Sequence, residues 1–220
     1  MPSYSRTYAP AGRAVTRDES RAVFGQVMGL VTLTVGCFAL GAYLERNSGR
    51  TGFVFFIAAF VCLFALQFAT SRGHEQLSIA LLFGVGLLLG MFVGPILAYY
   101  AKSNPAPLWQ AAGATAGFTA AMGAYGYATR RDLSSWARTL FWCLLALIAF
   151  GIIGLFVAIP GGNIIYCVLG LVLFGALTIF DFNRLRRSNL ASAPLIAASI
   201  FLDIFNIFLF FLRIFGGGRN

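Results

Sequence analysis

The chain has 220 residues, of which 59% are hydrophobic and only 10% are charged, and its formal net charge is +9. A soluble domain typically carries about 25% charged residues, so this composition excludes an ordinary soluble domain and indicates an integral membrane protein. The basic residues lie at the ends of apolar stretches. That distribution is typical of topology signals and argues against a nucleic-acid-binding surface.

Seven stretches are apolar and long enough to cross a bilayer, which takes roughly 20 residues. In chain order they lie at about 23–44, 52–70, 77–100, 108–128, 138–159, 164–183 and 195–215. Because a helix satisfies its backbone polar groups internally, we predict an all-α integral membrane protein, a seven-transmembrane-helix bundle. The same pattern predicts a polar, basic cytoplasmic tail over 1–22, a transmembrane domain over 23–215 and a short C-terminal tail over 216–220.

The distribution of Lys and Arg predicts the orientation of these spans. With the N-terminus in the cytoplasm, eleven of the sixteen basic residues lie on the cytoplasmic side and five lie outside. Cytoplasmic loops normally carry the excess of basic residues. We therefore expect seven crossings of the plasma (inner) membrane, with the N-terminus cytoplasmic and the C-terminus outside.

Small residues recur at four-residue spacing in two of the spans. Gly86, Gly90 and Gly94 follow this spacing in the third span, and Gly113 and Gly117 follow it in the fourth. Such ridges let helices approach closely, so both are predicted to be packing surfaces. The fourth span is rich in Ala, Gly and Thr and only weakly hydrophobic, so we expect it to lie inside the bundle, surrounded by protein.

The residues of common catalytic sites are missing from the sequence. His74 is the single histidine and lies in a short turn, and no GxSxG or HExxH pattern occurs. A retinal protein needs a lysine inside a span, but Lys102, the only lysine, lies in a loop. We therefore predict that the protein is not an enzyme and holds no cofactor.

Two acids stand out because the first five spans have no ionisable group at their centres. Asp181 lies near the end of the sixth span, and Asp203 lies in the first half of the seventh. An acid at membrane depth costs roughly 2.5–3.5 kcal/mol and usually faces the bundle interior. A short basic loop joins these two spans, so they are expected to be antiparallel neighbours whose carboxyls meet. Such a pair would titrate as one unit.

The residues around the acids leave an alternative for Asp181. It could be an interfacial acid paired with Arg184 three positions later, whereas Asp203 has no basic residue within two turns of its own helix. Arg186 and Arg187 are interpreted as topology anchors. Asn206 could support the two acids, which together offer at most a weak Ca²⁺ contact.

Several segments resemble the Bax inhibitor-1 family, the transmembrane Bax-inhibitor-motif proteins, in their bacterial form. The last span, "SIFLDIFNIFLFFLRIFGG", resembles the last span of that family, and "TIFDFNRLRR" resembles its sixth. "GMFVGPIL", "AGATAGF" and "YATRRDLSSW" are similar to its central region. The resemblance covers about 23–215, which is nearly everything but the tail.

The resemblance implies a bundle whose last helix is central and a pH-sensitive leak of cations, notably Ca²⁺, as permeant ions. It implies that a pair of aspartates controls this leak, and the matching positions are Asp181 and Asp203. Some family members have a basic residue in the second span that latches the acids, but residues 52–70 contain none. Gly117 also departs from the aliphatic residues usual there. The alternative function is a non-enzymatic regulator that binds other membrane proteins, such as a membrane-bound ATP-dependent protease, through the N-terminal tail.

Overall fold

The computed structural model describes residues 17–47, 52–156 and 161–217, and these form seven long α-helices. The seven predicted spans are confirmed as helices, although residues 157–159 of the fifth lie outside the described part. The first helix begins at Arg17, inside the segment 1–22 that was assigned to the tail. Residues 1–16 of that tail also lie outside the described part of the chain. The helices are α1 Arg17–Leu44, α2 Gly52–Ser71, α3 Glu75–Ser103, α4 Ala106–Ala128, α5 Trp136–Phe156, α6 Gly162–Leu185 and α7 Ala193–Gly216.

Six of these helices are long and apolar enough to cross a membrane, and α4 is the exception. The α4 sequence is dominated by Ala and Gly, whose side chains bury little apolar surface. The weak hydrophobicity therefore comes from small side chains and not from charged ones. The architecture is that of an all-α, multi-pass membrane protein.

Helix α7 lies at the centre of the bundle, as predicted. It packs against α1, α2, α3, α4 and α6. Over its most apolar window 56% of its positions are buried, whereas the corresponding share for α5 is 11%. Ile200, Phe201 and Ile207 are almost completely enclosed.

The glycine ridge of α3 packs against α1, which confirms the prediction for this ridge. A Cβ atom added at Gly90 would overlap the backbone carbonyl oxygen of Phe38. A Cβ at Gly86 would lie 2.6 Å from the carbonyl oxygen of Thr34. Only glycine permits such a close approach between the backbones of two helices, so α1 and α3 form one tightly packed pair.

The prediction for α4 is wrong in two respects. Among residues 17–47, 52–156 and 161–217, no atom of another element lies within 4 Å of the position a Cβ would take at Gly113 or Gly117, so this part of the chain does not pack on the ridge. The helix is also not surrounded by protein, because it packs on α6 and α7 with one face and touches α3 only slightly. Its small side chains allow close packing but do not require it. The exposed small residues are Ala112, Gly113, Ala116, Gly117, Ala120, Ala121 and Ala124.

Candidate functional site

The structure brings Asp181 and Asp203 together between α6 and α7. The two residues are 6% and 4% exposed, respectively, and their carboxyl groups are within hydrogen-bonding range of each other. An ionised carboxylate only accepts hydrogen bonds. The contact is therefore a hydrogen bond only when one of the two carboxyls carries a proton.

The α6–α7 connection aligns the two acids. Helix α6 ends at Leu185, and a short 3₁₀ helix at Leu190–Ser192 leads directly into α7. The Asn189 side chain accepts a hydrogen bond from the backbone N–H of Ser192 and so closes this turn. Pro194 lies in the first turn of α7, where its fixed φ is compatible with the helix. The short turn makes α6 and α7 antiparallel neighbours.

A hydroxyl group, that of Thr178, lies next to the pair. Thr178 donates a hydrogen bond of 2.7 Å to the carbonyl oxygen of Phe174, and its side chain is also within range of Asp203. The carboxylate oxygen Oδ2 of Asp203 is buried and has no hydrogen-bond partner within residues 17–47, 52–156 and 161–217. A buried polar atom without a partner is costly, so its place in the centre of the bundle calls for a functional explanation.

Arg184 is the cation that acts on this pair. Its charge bears on Asp181, but its side chain is exposed, and the described structure shows no direct ion pair between the two. No charged side chain of α1–α4 contributes to the electrostatics of either acid in the part of the chain that is described. Asn206 donates a hydrogen bond of 2.7 Å to the carbonyl oxygen of Leu202 on its own helix, and within the described residues its side chain forms no hydrogen bond with either acid.

A residue that sequence reasoning missed, Asn183, ties α6 to the segment between α4 and α5. Its amide donates to the carbonyl oxygens of Thr129 at 3.0 Å and Arg131 at 3.1 Å. Its side-chain oxygen accepts from the backbone N–H of Leu133 at 3.4 Å. Asn183 is only 3% exposed. The sequence signal that could have identified Asn183 is its position, two residues after Asp181 and before the basic residues at 184–187.

The basic residues that follow also bind this segment. Arg186 donates to the carbonyl oxygens of Thr129 at 3.1 Å and Tyr127 at 3.3 Å. Arg187 forms an ion pair of 2.8 Å with Asp132. Both arginines therefore do more than mark topology, because together with Asn183 they hold the end of α4 against the end of α6.

The donor set at the pair suits the passage of a cation better than its storage. Ca²⁺ takes six to eight oxygen ligands, whereas Asp181 and Asp203 supply at most four carboxylate oxygens. Within the described ranges, no group of three or more His, Cys, Asp or Glu side chains could hold a metal ion. A permeant cation needs contacts that are weak enough to release it.

Comparison with known proteins places the chain in a family. The family model described as "Inhibitor of apoptosis-promoting Bax1" matches residues 20–220. A protein of Helicobacter pylori strain J99 is 30% identical over 188 residues, which cover 85% of this chain and 80% of that protein. The inner membrane protein YbhL of Escherichia coli K12 is 28% identical over 215 residues, with coverage of 88% and 91%. The chain therefore belongs to the Bax inhibitor-1 family of membrane proteins.

Proposed function

We propose that the protein conducts a slow, pH-sensitive leak of cations, notably Ca²⁺, and that Asp181 and Asp203 form its sensor. One observation carries this proposal: two buried carboxyls lie within hydrogen-bonding range of each other between α6 and the central helix α7. Ionisable groups at membrane depth are costly and commonly mark ion pathways or proton relays. The family resemblance points to the same pair.

The pair can bias the packing of two helices through its protonation state. With one shared proton, the carboxyls attract each other and hold α6 against α7. With no proton they carry two like charges that repel at short range, and with two they carry none. Each state favours a different arrangement of the helices, so the proton concentration shifts the population between them. We expect more leak in acid, as the family resemblance implies.

The test is a Ca²⁺ flux assay with the purified protein in liposomes, measured across pH. The wild-type flux should change between about pH 8 and pH 6, a range in which free aspartates, with a pKa of about 3.9, would not titrate. Asp181→Asn and Asp203→Asn should each flatten this response. The double variant should be little worse than either single variant, because the residues act together.

A matched control is Asp132→Asn, which removes an exposed acid that lies outside the helices. This variant should keep the wild-type pH profile. Thermal unfolding in detergent should show that the Asn variants remain folded. If both single variants at the pair kept the wild-type profile, the paired-sensor proposal would be wrong.

A second candidate function is a regulator that binds other membrane proteins, such as a membrane-bound ATP-dependent protease. The observation in its favour is the exposed face of small residues on α4, since such faces are common at helix–helix interfaces in membranes. The liposome assay separates the two candidates. A leak should persist with the purified protein alone, whereas a regulator should have no activity without its partner.

A further inference from the structure

Helices α4, α6 and α7 pack against one another in all three pairs and form a three-helix interface. Three buried side-chain oxygens on these helices have no hydrogen-bond partner among the residues that the structure describes. They are Oγ1 of Thr115, Oγ1 of Thr119 and Oδ2 of Asp203. Native interiors contain few such atoms, and each one calls for a physical explanation.

The two α4 threonines differ from three threonines of α1 and α6. Thr32, Thr34 and Thr178 each donate to the carbonyl oxygen four residues earlier, at 2.8, 2.7 and 2.7 Å. This bond is the usual way for a helix to satisfy a hydroxyl group in an apolar environment. Thr115 and Thr119 do not form it, although they are only 5% and 9% exposed. Their hydroxyl groups are thus free to contact something else.

The contacts between α4 and α6 give the level of the acids relative to α4. Gly123 lies against the ring of Phe182, and Gly126 lies against the backbone carbonyl of Ile179. The Phe182 contact is made by the far end of its ring, so the backbone contact between Gly126 and Ile179 gives the level. Asp181 follows Ile179 by two residues and therefore lies slightly beyond Gly126, near the end of α4.

Thr119 and Thr115 lie further along α4, in the direction that leads away from the α6–α7 turn. Thr119 precedes Gly126 by seven residues and Thr115 precedes it by eleven, which is about 10 Å and about 16 Å along the helix. Phe205 and Phe208, which follow Asp203 along α7, line the same groove as both threonines. The three oxygens without partners thus succeed one another along the bundle.

We propose that the cation path continues from Asp181 and Asp203 through this three-helix interface, with the Thr119 and Thr115 hydroxyls as its next oxygen contacts. The proposal rests on the proposed cation leak and adds its route. Hydroxyl oxygens are suitable ligands for a hard cation in transit, because they bind it without adding charge. The Gly126–Ile179 contact closes the path at the level of the acids.

The large open groove beside this interface is a poor alternative route. It lies between α1 and α4, has a volume of about 910 Å³ and is lined almost entirely by apolar side chains, among them Phe38, Ala116 and Phe208. Thr115 and Thr119 border it, but their hydroxyl oxygens are buried. An apolar surface offers no ligands to replace the hydration shell of an ion.

The first experiment removes the two hydroxyl groups and keeps the side-chain shape. In liposomes, the double variant Thr115→Val with Thr119→Val should lower the Ca²⁺ flux about tenfold, by the loss of two polar contacts. Its pH response should keep the wild-type midpoint, because the acids are untouched. The control is Thr32→Val on the exposed face of α1, which should leave the flux unchanged. A double variant with wild-type flux would overturn the route.

The second experiment opens the closed end. In Gly126→Ala, the new methyl group would overlap the carbonyl oxygen of Ile179 and force α4 away from α6, so the Ca²⁺ flux should rise. Gly117→Ala is the control, because its methyl group would meet no atom of another element within 4 Å. An unchanged flux in folded Gly126→Ala would overturn the assigned closure.

A third measurement separates the failure of the route from the failure of the proposed leak. Thr119→Cys and the control Thr32→Cys are made in a full-length chain whose four cysteines are replaced, and a charged, water-soluble methanethiosulfonate reagent is added to the liposomes. Faster modification of Thr119→Cys would support a hydrated path. If Thr119→Cys were modified faster while the wild-type protein moved no Ca²⁺, the hydrated path would be supported and Ca²⁺ would be excluded as its permeant ion. Absence of modification would overturn the path, whatever the wild-type flux.

Discussion

Helices α3 and α4 both carry glycines at four-residue spacing, but only one of these ridges is packed. Gly90 of α3 touches the backbone of α1, whereas Gly117 of α4 has open space where a Cβ would be. The spacing creates a flat surface that allows a close approach. The spacing alone does not determine whether another helix packs there. The two helices differ in which part of a neighbouring backbone lies opposite their glycines.

The neighbour of α3 runs along it for several turns. The carbonyl groups of Thr34, Phe38 and Ala42 on α1 line up with the three ridge glycines. Helix α4 meets α6 instead at Gly123 and Gly126, nearer its end and on another face. The backbones of α1 and α3 are thus in contact over several turns, while the close backbone contact of α4 with α6 lies near its end.

The largest expected effect on stability is the difference between a methyl group added to the α3 ridge and one added to the α4 ridge. Gly90→Ala should lower the free energy of unfolding by about 3 kcal/mol, because the new methyl group overlaps backbone that cannot move aside. Gly117→Ala should be neutral or stabilising by up to about 1 kcal/mol, because alanine favours the helix. Thermal and denaturant unfolding in one detergent would measure both. Equal losses in the two variants would mean that α4 has a partner on this face.

A medium effect is expected where α4 is tied to α6 by hydrogen bonds. Asn183→Leu removes the side chain that joins α6 to the Thr129–Leu133 segment. It leaves backbone groups unpaired and should lower the free energy of unfolding by about 2 kcal/mol. Asn206→Leu is the matched control, because that amide bonds to its own helix, and its cost should be clearly smaller. A neutral Asn183→Leu would show that the arginines alone hold this end of α4.

The sequence was sufficient to predict the helices and the meeting of the two acids. The length of each apolar stretch defines a span. Asp181 and Asp203 lie in two consecutive spans joined by a short loop, so few arrangements of these spans would keep the two acids apart. The position of α4 could not be predicted, because small residues suit both an interior helix and a helix with an uncovered face. Asn183 was missed because its partners are backbone carbonyls about fifty residues earlier, which no side-chain pattern reveals.

The smallest effect is expected at the surface ion pair between Arg187 and Asp132, which also links α6 to the α4–α5 segment. Hydrogen bonds from the side chain and backbone of Ser134, and then the charge of Arg187, lower the pKa of Asp132. A lowered pKa in the folded state stabilises the protein above the unfolded value of about 4, and this contribution is lost as the pH falls through the folded value. Asp132→Asn should therefore lower the unfolding midpoint slightly at pH 7, by less than Asn183→Leu does. The difference between this variant and the wild type should shrink as the pH falls below about 4. An exposed pair contributes little to stability. A loss as large as that of Asn183→Leu would show that charge, and not the buried amide, fixes the end of α4.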